Sequence, residues 1–206
     1  MTFDLYTNYF NPQHEKRASE LRKAILANCE SGLFRKVYLV HDEKCKKDIS
    51  HPLIEWIYLE WRPKYDDFFR LVNFKTEDDT INLIGNTDIV FDSSLLFLEH
   101  INFDNTIVEL SRYEPCGRIK NTGEDIWIWQ GKVKPQVWGN LPLGELGCDW
   151  RITYEFRKAG YRVVNPSLDI TTWHIHDSNI RYYPNQNKWY SHEDNHSKPQ
   201  YISQIS

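Results

Sequence analysis

The sequence predicts an α/β fold with a mixed, mostly parallel central sheet flanked by helices, and three observations carry that expectation. Near the N-terminus a β-type run, a helical repeat and a second β-type run follow one another, the order that joins parallel strands through a crossover helix. The runs Lys36–His41 and Ile81–Ile84 are almost continuously apolar, as strands covered on both faces are. The second half mixes strands and a helix less regularly, so the sheet is expected to be mixed rather than all parallel.

Phe3–Tyr9 combines aromatic and β-branched residues and reads as the first strand. Asn11-Pro12 supplies an N-cap and a first-turn proline for a helix from Pro12 to about Ser31, in which Ala18, Leu21, Ile25 and Cys29 recur at helical spacing. Gly32 suits the position just past its end. Strands are expected at Lys36–His41 and near Ile54–Leu59. Pro63 then opens a helix through Phe74 with Tyr65, Phe68, Phe69 and Val72 on its apolar side. A central strand starts at Ile81 and breaks at Gly85; Asp92 or Ser93 caps a short helix with Leu95, Leu96 and Leu98. Thr106–Leu110 is a strand leading into Ser111-Arg112-Tyr113. The polar stretch Glu114–Asp125, with Gly117 and Gly123, reads as a mobile loop, and the tryptophans of the strand Ile126–Gln130 as partly exposed. Residues 132–147 are irregular. Asp149–Ala159 is a helix closed by Gly160, and strands follow at Tyr161–Val164 and Ile170–His176. After Asn185 polar residues dominate, so residues 1–184 are expected to form one domain and 185–206 a polar tail or linker.

Composition narrows the class. A chain of 206 residues with 40% hydrophobic and 26% charged residues suits one soluble domain with a real core. Aromatic residues reach 15%, with 8 Trp and 12 Tyr; rings beyond a core's needs line sites for sugars and nucleobases, although packing accounts for most of them. A net charge of −4 argues against nucleic acid as a partner. The N-terminus lacks a signal-peptide pattern, and no apolar run approaches the roughly 20 residues of a membrane span. Cys29, Cys45, Cys116 and Cys148 form no CxxC pair and read as reduced thiols, which places the chain in the cytoplasm.

The chemistry gathers around INLIGNTDIVFD, residues 81–92. An apolar strand breaks at Gly85, shows Asn86-Thr87-Asp88, and turns apolar again. Asn86 and Asp88 are two apart and leave one face of an extended chain, where a carboxylate and an amide suit a hard divalent cation carrying phosphates. An Asn/Asp turn between strands is the plainer alternative. The stretch resembles the Asp-x-Asp signature of GT-A-fold glycosyltransferases, with Asn86 in place of the first Asp. Two later features extend that resemblance over residues 1 to 183. Gly147-Cys148-Asp149 opens a helix like the acceptor-side helix of inverting members. Trp173-His174-Ile175-His176 stands where many members place a metal-binding histidine.

The resemblance implies a metal-dependent transfer of sugar from a nucleotide-sugar donor, a UDP-sugar by analogy, to a hydroxyl of a glycan or other acceptor. It implies Mn2+ or Mg2+ on Asp88 and His176, with His174 beside them, and Asp149 as the base. Thr7, Asn8, Tyr9 and Tyr65 are candidates for the nucleotide, together with Asn86, and Arg112 and Asp125 for the sugar. Each has a plain structural reading as well. Asp149 suits a helix cap, His174 a satisfied buried histidine, Arg112 an ion pair, Glu124-Asp125 surface-loop charge, and Asp78-Asp79 a solvated turn. Two other functions compete. A sugar-phosphate nucleotidyltransferase would need a Gly-rich loop after strand one, yet the first glycine is Gly32; a non-catalytic carbohydrate- or nucleotide-binding domain would explain Asn86.

Overall fold

The computed structural model describes residues 1, 3–42, 45–178, 180 and 197–205, and for 121–123 the backbone alone. Its strands are β1 (Phe3–Asn8), β2 (Phe34–His41), β3 (Ile54–Tyr58), β4 (Ile81–Gly85), β5 (Ile89–Phe91), β6 (Thr106–Tyr113), β7 (Ile119–Gln130), β8 (Arg162–Val164) and β9 (Thr172–His174). The helices are α1 (Glu15–Glu30), α2 (Tyr65–Lys75) and α3 (Cys148–Lys158), with 3-10 turns at Ser93–His100 and Ile202–Gln204. Among the described residues the strands make one sheet in the order β3-β2-β1-β4-β7-β6-β9-β5, with β8 against β6. The half from β3 to β4 is parallel, while β7 runs antiparallel to both β4 and β6 and so turns the sheet mixed.

Alternation along the strands builds the layers. Leu5, Val37, Leu39, Leu83, Ile126 and Ile128 face one side, where Leu21, Ile25 and Cys29 of α1 cover them. Tyr6, Tyr38, Ile84, Trp127 and Trp129 face the other, under Phe68, Phe69 and Val72 of α2 and Ile152 and Phe156 of α3. A sheet buried on both faces needs strands apolar at odd and even positions alike, which explains the unbroken runs in β2 and β4.

Several expectations are corrected. The first helix starts at Glu15, because the Asn11 side chain is committed to the backbone of Lys46 as both donor and acceptor and cannot cap. The second starts at Tyr65, its first turn closed by Asp67, whose carboxylate accepts the Lys64 N–H at 3.0 Å. Glu114–Asp125 is a loop only as far as residue 118: β7 begins at Ile119 and pairs back on β6 as a hairpin, turning at Gly117 (φ 79°), whose N–H meets the Glu114 carbonyl at 2.8 Å. Trp127 and Trp129 are buried rather than partly exposed, and their indole N–H groups reach Thr153 Oγ1 (3.2 Å) and the Gly131 carbonyl (3.0 Å). Residues 197–205 also differ from a free tail. Gln200 N–H bonds the Asn165 carbonyl at 2.9 Å, and Ile202 and Ile205 pack on the core, two apolar anchors that the polar average around them conceals. Residues 185–196, the rest of that expected tail, lie outside the described residues.

Within the hairpin the register steps from Leu110↔Ile126 to Ser111↔Glu124. The longer strand therefore spends two residues where its partner spends one, a bulge that re-aims the side chains beside it.

Candidate functional site

Because β1 and β4 are parallel neighbours, their C-terminal ends open side by side, where ligands gather in such sheets. Thr7 Oγ1 lies 3.1 Å from Thr87 Oγ1, and the Thr87 hydroxyl bonds the Asn8 carbonyl, so the two strand exits are stitched together. Above them is a cavity of about 320 Å³, lined among others by Asn8, Tyr9, Asn86, Asp88, Arg112 and His174.

The metal candidates come together. Ile89 pairs with His174 and the Ile175 N–H bonds the Asp88 carbonyl at 2.8 Å, so this short ladder fixes Asp88 beside the last strand. His174 and His176, two apart, leave the same face and stack edge to face with ring centroids 5.1 Å apart. One ligand atom from each of Asp88, His174 and His176 falls within 4.8 Å of the others. Asp88 Oδ2 faces His174 Nε2 at 3.1 Å and His176 Nδ1 at 3.9 Å. Two imidazoles and a carboxylate fit Mn2+ better than Mg2+, which prefers oxygen ligands throughout.

Charge is distributed unevenly here. Burial pushes the Asp88 carboxyl up, but hydrogen bonding and charge from His174, with Arg17, outweigh it and hold the group well below the usual carboxylate range. His174 is raised: burial opposes its charge, yet Asp88 and Glu114 Oε2, 3.0 Å from Nδ1, favour the imidazolium. His176 is lowered, by burial and then by the nearby Arg17. Glu114 falls to about 2, burial being outweighed by His174 and Arg112.

Arg112 lines the cavity with its guanidinium on Asp125 (2.8 and 2.9 Å) and Glu114 (3.0 Å), and Asn86 donates to the same Asp125 Oδ1 at 2.6 Å. Asp125 and Glu124 are therefore buried strand residues, 2% and 0% exposed, instead of surface-loop charge. Asp125 holds Arg112 and Asn86 from beneath and is not among the cavity-lining residues. Tyr9 does line the cavity, although its hydroxyl is committed to Asp48 at 2.6 Å. Tyr65 is not brought to the cavity: it is wholly buried, edge-on to Trp127 at 5.3 Å.

Asp149 is not among the residues that line the cavity with Asp88, His174 and His176. Gly147 is the N-cap of α3 and no side chain caps that helix, so Asp149 is not the cap that local sequence allowed. Part of its surface reaches solvent, yet the carboxyl sits deep among protein atoms. Its proton affinity is raised by that burial and then by the charges of Asp125 and Glu124, the opposite of a helix-terminus effect. Burial also lifts Glu109 and Glu124 to about 8, helped by the charge of Glu124 on Glu109 and of Asp125 on Glu124.

Sequence reasoning missed Arg17, Glu20 and Glu114. Arg17 and Glu20 lie four residues before Leu21 and Ala24 on the buried side of α1, and charge at apolar helical spacing is the signal that marks them. Glu114 lies at the turn end of a hairpin read as a loop, which hid it.

No protein-family model matches the chain, and no curated protein matches it in sequence. Among solved structures it is similar in fold to the mannosyltransferase PcManGT from Pyrobaculum calidifontis in complex with GDP-Man and Mn2+, with TM-score 0.58, 13% identity and coverage of 86% of this chain and 57% of that one. A candidate nucleotide-diphospho-sugar transferase from Desulfovibrio desulfuricans G20 matches at TM-score 0.55 and 11% identity over 80% of each chain. GalNAc-T7 with UDP, GalNAc and Mn2+ matches at TM-score 0.52 and 9% identity, over 90% of this chain and 44% of that one. The chain thus spans only about half of two of these proteins. At such identities the likeness shows the fold, which is of GT-A type. No helix among the described residues is long and apolar enough to cross a membrane.

Proposed function

We propose that this protein is a metal-dependent glycosyltransferase that moves a sugar from a nucleotide-sugar donor, a UDP-sugar, to a hydroxyl of a glycan or other acceptor with inversion. The observation that carries this reading is the convergence of Asp88, His174 and His176 at the rim of a cavity over parallel strand ends. On this reading Asn86-Thr87-Asp88 stands in the place of the DxD motif, and Mn2+ is the preferred cation. When bound there, such an ion neutralises the leaving diphosphate as a Lewis acid. Arg112, pre-oriented by Asp125, offers fixed donors to phosphate or sugar oxygens, and Asn8 and Tyr9 shape the nucleotide end. Asp149 takes the acceptor proton: its raised proton affinity suits a base near neutral pH, and it has no capping duty. Four free thiols accord with a cytoplasmic setting.

Calorimetric titration with UDP, with and without Mn2+, tests the site. Tighter binding with metal, lost in Asp88→Ala, is expected; equal affinity in both conditions overturns the metal assignment. A second reading, a binding domain without catalysis, is favoured by the guanidinium already resting on Asp88. A product assay over a panel of nucleotide sugars, preselected by thermal protection, separates the two.

A further inference from the structure

The proposed metal triad has a positive charge of its own. Arg17 reaches in from the first turn of α1 and is 7% exposed. Its Nη2 bonds Asp88 Oδ2, while Nη1 meets Glu20 Oε2 at 3.1 Å and the Ile175 carbonyl at 3.3 Å. The oxygen it takes is the one that faces both His174 and His176. One atom is therefore the acceptor for a guanidinium and a ligand for a cation. A Mn2+ or Mg2+ ion held by that oxygen would set a second cation beside the guanidinium, both drawing on one carboxylate oxygen. Arginine does not relieve the conflict by losing its proton, so it has to move.

The surroundings let it move. Arg17 lines the 320 Å³ cavity, on the same wall as Asp88 and Arg112. Glu20 keeps two other donors when the guanidinium leaves, the Ser178 N–H at 2.7 Å and its hydroxyl at 2.9 Å. The segment carrying His176 thus stays tied to α1 without Arg17.

We propose that Arg17 is a displaceable counter-cation: it withholds Asp88 from free divalent metal and releases it when a diphosphate enters the cavity and takes the guanidinium as its own partner. This inference rests on the donor site proposed above. It makes metal and nucleotide binding interdependent through an arginine as well as through direct metal–phosphate bonds.

The test is Mn2+ binding to the full chain without nucleotide, followed by loss of the free-ion electron paramagnetic resonance signal. Arg17→Met, which keeps the apolar stem, is expected to bind Mn2+ at least about tenfold more tightly than wild type, the scale set by removing one adjacent like charge. Adding Asp88→Asn to that variant should erase the gain. Unchanged or weaker binding in Arg17→Met, alongside wild-type binding that Asp88→Asn abolishes, overturns the displacement and leaves the metal site standing. Failure of both wild type and Arg17→Met to bind Mn2+, with or without UDP, overturns the metal site and the displacement together. Should Arg17→Met not fold, Arg17→Lys keeps the charge with fewer bonds to Asp88, and a gain of a few-fold is expected; equal affinity there overturns the proposal.

Discussion

Asp88 and Glu109 are both buried carboxylates, 7% and 0% exposed, and their proton affinities are displaced in opposite directions. Asp88 meets a guanidinium and an imidazole at contact distance, and these two positive partners more than offset its burial. Glu109 meets neutral donors, Ser197 N–H and Thr153 Oγ1, both at 2.8 Å, while its nearest cation, Arg157, is 4.0 Å away and Glu124 adds negative charge. Hydrogen bonds from neutral groups soften desolvation without reversing it. A fixed cation reverses it. The same sheet thus holds one acid group ready for positive partners and another that prefers to keep its proton.

Substitutions can test that division. The largest effect is expected from Asp149→Asn, which removes the proposed base but little volume. Sugar transfer should fall by about 10²- to 10⁴-fold with UDP affinity preserved. Near-normal turnover would leave Asp149 a member of the buried acid group only.

Asp88→Asn comes next. It takes one carboxylate from both Arg17 and His174, which keep only Glu20 and Glu114, so beyond losing the metal response it should cost about 3 kcal/mol in urea unfolding. A stability change below about 1 kcal/mol would mean the pair is as weak as a surface salt bridge.

Removing residues 197–206 is smaller. It takes away the Ser197 N–H that Glu109 accepts, together with the packing of Ile202 and Ile205, and about 1–3 kcal/mol should be lost. Limited proteolysis that nicks the chain there and leaves the unfolding midpoint unchanged would count against this docking.

The finest distinction is in pH. Glu109 and Glu124, raised from 4.5 to about 8, add stability that is full below about 4.5 and lost as pH climbs through 8. Glu114, lowered to about 2, and Asp88, lowered too, add stability present above their ordinary values and lost as pH falls. Glu109→Gln should therefore shrink the stability difference between pH 6 and 8.5 by about 1 kcal/mol or more and leave the acid limb alone. Equal slopes in variant and wild type would show that Glu109 is ionised throughout.

Legibility in the sequence followed the same physics. β1, α1, β2 and α2 were readable because burial there is achieved by apolar side chains at periods of 2 and 3.6, and the triad could be placed because Asp88, His174 and His176 flank such runs. Glu124 and Asp125 were not readable: a buried acid and an exposed one have the same letter, and only the third dimension supplies Arg112 and the neighbouring acids. Arg17 was obscured for a related reason. Its place at apolar helical spacing is the local sign, but its charge sits on a helix otherwise laced with surface ion pairs such as Arg22–Glu15, and its partner Asp88 is 71 positions away.

The extra residue in β7 bears on how this chain can change over generations. Deleting position 125 would let the hairpin pair without its step at Leu110–Ser111, a more regular ladder. Adding or removing a residue anywhere else between there and the turn would instead put every side chain beyond it onto the opposite face, since strand faces alternate with each residue. A replaced letter alters one contact; an altered length reassigns the whole tip. Descendants of this chain that keep its chemistry are therefore expected to vary in the spelling of the hairpin far more freely than in its residue count.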